Sequence, residues 1–193
     1  MASLLLIALS GCAPGPIDAP YGSELVLPTD ISFSMDGGLA SPGDGYGHLF
    51  ITDYYVLHDD PQGNTAAMNG IKVELMSGWS GAYVIPEEAV TIVTSFEDTC
   101  AAAAVDDSCH IYFDDENEFW VEFAGDYEDI GDFRPTYYSG PTDNNGRLRA
   151  YLFVDSVPLD SSGTPATIPV YVSITGVAES LTLTPLSDDS TSR

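Results

Sequence analysis

Arg147-Leu148-Arg149-Ala150-Tyr151-Leu152-Phe153-Val154 is the stretch that decides the fold. Successive side chains of a strand point to opposite faces, so Leu148, Ala150, Leu152 and Val154 share one face and Arg147, Arg149, Tyr151 and Phe153 the other. Thr142-Asp143-Asn144-Asn145-Gly146 stands just before it. Asp, Asn and Gly in that order favour the positive φ of a tight hairpin turn.

The same period of two recurs outward in both directions. Towards the C-terminus, Val170, Val172 and Ile174 alternate with Tyr171, Ser173 and Thr175, and Leu181 and Leu183 close the pattern. Towards the N-terminus, Ile31, Phe33 and Met35 alternate with Ser32 and Ser34, and Ile71, Val73 and Leu75 with Lys72 and Glu74. Between them His48 to Leu57 is loaded with Phe50, Ile51, Tyr54, Tyr55 and Val56. Val84-Ile85 and Val90 to Val93 flank a Pro86-Glu87-Glu88 break, and Phe119, Val121 and Phe123 alternate with Glu118, Trp120 and Glu122. The single helical candidate is Thr99 to Asp107. Short alternating runs separated by Gly, Pro, Asn and Asp predict an all-β antiparallel sandwich over residues 23–186, with a polar tail at 187–193.

Two turns carry a resemblance. Asp60-Pro61-Gln62-Gly63-Asn64 leads into Gly70-Ile71-Lys72-Val73, and Thr142-Asp143-Asn144-Asn145-Gly146 leads into the alternating strand from Arg147. Together they resemble bacterial immunoglobulin-like domains of the invasin/intimin type. That resemblance implies an immunoglobulin-like sandwich used as a stalk or adhesive spacer, without catalytic residues of its own.

At the N-terminus, Leu4 to Leu9 is an apolar run that ends in Leu9-Ser10-Gly11-Cys12. The ending resembles the lipobox of bacterial lipoproteins. It implies a signal peptide over 1–11, lipidation of Cys12, and a place in the bacterial cell envelope. Ala13 after the Cys points by the same analogy to the outer membrane. The run is far shorter than the roughly 20 apolar residues that span a bilayer. Ala13 to Gly22, rich in Pro and Gly, reads as the rest of a lipidated tether over 12–22.

Residues 97–132 form an acidic insertion with thirteen Asp and Glu and no Lys or Arg. Cys100 and Cys109 lie inside it. In an exported protein such a pair reads most simply as a disulfide, worth roughly 2–3 kcal/mol for a loop of about 10 residues. The alternative is a metal site with His110, which lacks a fourth ligand. Asp114, Asp115, Glu116, Asp126, Glu128, Asp129 and Asp132 supply the hard oxygens that calcium prefers, without the spacing of an EF-hand loop. A solvated strand face is the plainer reading of the same charges, so calcium is a possible ligand and no cofactor is required.

Thirty Asp and Glu against five Lys and Arg leave a net charge of -25. Nucleic acid is excluded as a partner, because phosphate neutralisation needs clusters of Lys and Arg. The charge also repels an anionic membrane, so attachment would fall to the lipid. None of His48, His58 and His110 sits in a recognisable catalytic motif. Trp79 and Trp120, with Tyr54, Tyr55, Tyr137 and Tyr138, are candidates for a sugar-stacking platform, although core and cross-strand packing also enrich these residue types. The expected function is a cell-envelope lipoprotein acting as a structural or adhesive interaction module, with possible protein or glycan partners. The alternatives are a sandwich that binds calcium or carbohydrate such as peptidoglycan, and then an unrecognised hydrolase.

Overall fold

The computed structural model describes residues 15–35, 39–40, 46–95, 110–114, 119–123 and 136–186. Cys12, Cys100, Cys109, the helical candidate Thr99 to Asp107 and the tail 187–193 lie outside the described residues. The strands are β1 (Ser23–Val26), β2 (Ile31–Ser34), β3 (Leu39–Ala40), β4 (Tyr46–Asp59), β5 (Thr65–Ala67), β6 (Lys72–Ser77) and β7 (Ala82–Pro86). After a 3-10 turn at Glu87–Ala89 come β8 (Val90–Val93), β9 (His110–Asp114), β10 (Phe119–Phe123), β11 (Tyr137–Pro141), β12 (Arg147–Val154), β13 (Ile168–Ile174) and β14 (Val177–Leu186).

They make two sheets. One follows the path β7-β12-β4-β3-β9-β10-β8, with β1 and β5 also paired to β4; the other runs β11-β6-β13-β14-β2. Every β12 residue pairs with β4, from Arg147 opposite Tyr55 to Val154 opposite His48. Among the described strands β2 and β14 pair in parallel, with Phe33 opposite Pro185, and Ile17 makes a parallel bridge to Ile71.

The main core lies between the sheets and takes the alternating residues that the sequence marks. Leu148, Ala150, Leu152 and Val154 of β12 meet Val73 and Leu75 of β6, Val170 and Val172 of β13, and Leu181 and Leu183 of β14. Full burial of each aliphatic side chain contributes about 1.5–3 kcal/mol. Tyr54, grouped by composition with the surface aromatics, is 0% exposed in this core. Burial raises its hydroxyl to a pKa of about 12. Phe33, His48 and Phe50 gather between β2 and β4, with ring centroids 4.7 Å apart for Phe33–His48 and 5.2 Å for Phe33–Phe50. Burial lowers the pKa of His48.

The first sheet cannot be flat. Seven strands at a spacing of about 4.8 Å would put β7 and β8 about 29 Å apart. Yet β8 begins at Val90, four residues after Pro86, and that much chain reaches about 14 Å at most. The sheet therefore curls back, bringing Pro86 at one end and Val90 at the other within about 14 Å. On the face turned away from the main core, Tyr83, Ile85, Ala89, Tyr151 and Phe153 form a second buried cluster, with Leu49 and Val90 against it. The rings of Tyr83 and Phe153 stack at 6.2 Å. This is why β7 and the second half of β12 are buried on both faces, and why their sequences are apolar almost without interruption.

Part of the stretch that reads as a tether in the sequence docks onto the sandwich. The Ile17 N–H donates to the Gly70 carbonyl and the Ile17 carbonyl accepts from the Lys72 N–H, both at 2.9 Å. Ala19 is buried against the main core. Prolines and glycines forbid regular secondary structure here, but they do not forbid docking. From Ile17 onward the segment belongs to the domain.

Candidate functional site

The residues singled out in the sequence fall in different places. Asp114 ends β9, opposite Phe119 of β10 and Leu39 of β3. Asp115, Glu116, Asp126, Glu128, Asp129 and Asp132 lie outside the described residues. Among the described residues no group of three or more His, Cys, Asp or Glu is placed to hold a metal ion. Trp120 sits in the middle strand of a three-strand ribbon, paired with Phe113 of β9 and Val93 of β8. Trp79 is half-buried against the main core, and its indole N–H donates to the Ser156 carbonyl at 2.9 Å. Its task there is to pin the β6–β7 turn to the loop that follows β12.

Three loops share one construction. Asp60, Asp143 and Asp160 each accept with Oδ1 from the backbone N–H two residues on, at 2.8 Å in Gln62, Asn145 and Ser162. The same oxygens accept from the N–H four residues on, in Asn64, Arg147 and Thr164, at 2.8, 3.0 and 2.9 Å. Gly63, Gly146 and Gly163 supply the positive φ at 82°, 69° and 82°. All three carboxyls are held below their usual pKa. The leading cause is the Asn64 side chain for Asp60, the Arg147 backbone N–H for Asp143 and the Ser162 hydroxyl for Asp160. These carboxylates act as loop locks. The third loop lies between β12 and β13, away from any alternating run, and its only sequence signal is the repeated Asp-x-x-Gly spacing.

The Asp143 loop meets the turn between β5 and β6. Thr142 is 3% exposed. Its hydroxyl donates to the Met68 carbonyl at 2.5 Å and accepts from the Ile71 N–H at 3.0 Å. Asn69 Nδ2 donates to Asn144 Oδ1 at 2.8 Å across a separation of 75 residues. Gly146 lies against the Met68 N–H and the Val56 carbonyl, where a Cβ would come within 2.8 and 2.9 Å. One end of the sandwich is thus clasped by the Asp143 turn and the Met68 to Ile71 segment that leads into β6.

The described cations are all engaged with carboxylates. Arg149 Nε and Nη2 donate to the two oxygens of Asp53 at 2.7 and 2.8 Å. Arg149 also faces Glu87 at 3.7 Å, so it ties β4, β12 and the 3-10 turn together. That bidentate contact is the leading reason Asp53 is held below the usual carboxylate range. Arg147 pairs with Asp143 at 3.3 Å and Lys72 with Glu74 at 2.6 Å.

The outer face of the five-stranded sheet has a different character. Strand register sets Met76 of β6 opposite Tyr137 of β11 on one side and Tyr171 of β13 on the other. All three are exposed, at 47%, 51% and 47% respectively. One step along the strands Glu74 lies opposite Ser139 and Ser173. Glu74 accepts from Lys72 and from the Tyr137 hydroxyl, at 2.6 and 3.0 Å, and the Lys72 contact is the leading reason its pKa is lowered. Beside this row a groove of about 240 Å³ is lined by Asp18, Lys72, Glu74, Ser173, Ile174 and Thr175. The Thr175 hydroxyl donates to Asp18 Oδ1 at 3.1 Å. The groove can offer hydrogen-bond donors and acceptors side by side, next to exposed rings.

The chain matches no known family model, no curated protein and no solved structure at a significant level.

Proposed function

We propose that this chain is an immunoglobulin-like module, lipid-anchored at Cys12 in the bacterial outer membrane, that serves as a structural or adhesive interaction domain. The observation that carries the reading is strand order. Taken in chain order, β1, β4, β6, β7, β12, β13 and β14 correspond to strands A to G of a constant-type immunoglobulin sandwich, with A, B, E and D in one sheet and C, F and G in the other. The acidic region 97–132 then sits in the D–E connection, closed on itself by a Cys100–Cys109 disulfide. The clasp between the Asp143 loop and the Gly70-Ile71 start of the resembling strand supports the same reading.

Docking at Ile17 also bears on the anchor. Only Ala13 to Pro16 separate Cys12 from the docked segment, so Cys12 lies at most about 17 Å from Ile17. A lipid on Cys12 would therefore hold the clasped end of the sandwich close to the bilayer, with the opposite end presented outward.

Growth of expressing bacteria with radiolabelled palmitate tests the anchor. The expected result is label on the protein in the membrane fraction, lost in Cys12→Ser together with membrane association. An unlabelled wild-type protein in the soluble fraction would contradict it.

A further inference from the structure

We propose that the groove between the N-terminal segment and strands β6 and β13 binds one sugar ring of a neutral oligosaccharide, with Tyr137 and Tyr171 stacking on neighbouring rings. The site does not depend on the lipid anchor.

The size of the groove comes first. At about 240 Å³ it falls below the roughly 300 Å³ at which pockets for drug-sized ligands begin, and it suits a single monosaccharide ring. Its chemistry narrows the class further. The carboxylates of Asp18 and Glu74 accept, the Lys72 ammonium donates, and the hydroxyls of Ser173 and Thr175 do both. A polyol presents donors and acceptors on every ring carbon and can engage all of them. An apolar ligand would strip water from these groups and give no hydrogen bond in return.

Charge narrows the class from both sides. The chain carries -25 overall, which opposes an anionic ligand. Lys72 already neutralises Glu74 at 2.6 Å, which removes one of the two charges that would draw a cation. A neutral ligand fits what remains.

The aromatic row supplies the rest. Neighbouring residues opposite one another on antiparallel strands have Cα atoms about 4.5–5.5 Å apart, so Tyr137 and Tyr171, flanking Met76, stand about 10 Å apart. That distance is close to the length of two linked pyranoses. Each ring offers an apolar face to the C–H face of a sugar while its hydroxyl stays wet. The Tyr137 hydroxyl bonds to Glu74, which joins the row to the groove and holds that ring in place.

The test is isothermal titration of the full chain with tri- to hexasaccharides of β-1,4-linked glucose, N-acetylglucosamine and mannose, and separately with oligolysine. Saccharide binding is expected for the wild type, weakened about tenfold or more in Tyr171→Ala and in Glu74→Gln, and retained in Tyr171→Phe. Tyr21→Ala, at a fully exposed residue outside the groove, is expected to leave affinity unchanged. Melting curves of the variants separate lost binding from lost fold. Wild-type protein that binds no saccharide, or binds one equally well as Tyr171→Ala, overturns the proposal. Binding of oligolysine alone overturns it in favour of a charge-driven surface.

Discussion

Gly146→Ala is expected to lower folding stability by about 3 kcal/mol, while Gly63→Ala and Gly163→Ala each cost about 1 kcal/mol. The three glycines hold equivalent places in equivalent loops, with φ of 69°, 82° and 82°. Each substitution therefore meets the same left-handed backbone penalty, about 1–2 kcal/mol, partly offset by the reduced freedom of the unfolded chain. The surroundings differ. A Cβ at Gly63 or Gly163 meets nothing within 4 Å, whereas at Gly146 it meets the Met68 N–H at 2.8 Å, Ala67 Cβ at 2.9 Å and the Val56 carbonyl at 2.9 Å. Two of those atoms are backbone that is itself hydrogen-bonded, since the Met68 N–H donates to the Val56 carbonyl at 2.9 Å. The clash cannot be relieved by rotating a side chain. In thermal unfolding the difference should appear as a midpoint several degrees lower for Gly146→Ala than for the other two. Equal midpoints would mean that the Asp143 loop does not press on Met68 and Val56.

Thr142→Val carries the second large effect, about 2–4 kcal/mol, as a near-isosteric change that removes only the hydroxyl's hydrogen bonds. Valine fills the same volume, so little packing is lost. What remains is a Met68 carbonyl and an Ile71 N–H without the partner that the hydroxyl gave them at 2.5 and 3.0 Å. Each buried polar group left unsatisfied costs about 1–3 kcal/mol. Thr142→Ser keeps the hydroxyl and is expected to stay within about 1 kcal/mol of the wild type. Chemical denaturation of the pair measures the difference directly. A valine variant as stable as the serine variant would show that the hydroxyl does not hold the Met68 to Ile71 turn.

Much of this architecture is legible in the sequence, because one-sided burial writes a period of two into a strand. The alternation in β6, β12, β13 and β14 names the core side chains correctly, and Lys72, Glu74, Tyr171 and Ser173 fall on the outer face as expected. The pattern fails where burial is two-sided. Tyr151 and Phe153 share a face with Arg147 and Arg149, yet they are buried, and local alternation holds no information about a curl that depends on which distant strands pair. Tyr54 fails for a related reason. A tyrosine looks the same in sequence whether its ring is packed or exposed, and only its in-phase position with Thr52 and Val56 marks it as core.

The candidate groove was legible in pieces. Alternation puts Glu74 and Tyr171 on the outside, but not next to each other. It takes the pairing of β13 with β6 to set Tyr171 beside Met76, and the docking of Ile17 to bring Asp18 to Thr175. Register between strands about 100 residues apart is a tertiary property, and it is fixed by the buried face of each strand.

The central claim is that seven of the strands follow immunoglobulin order, and backbone nuclear Overhauser contacts in isotopically labelled protein test it most directly. The account predicts contacts between β4 and β12, as from Tyr54 to Leu148, between β6 and β13, as from Leu75 to Val172, and between the parallel strands β2 and β14 around Phe33 and Pro185. Contacts joining β4 to β6 as sequential neighbours, the pattern of a simple meander, would contradict it.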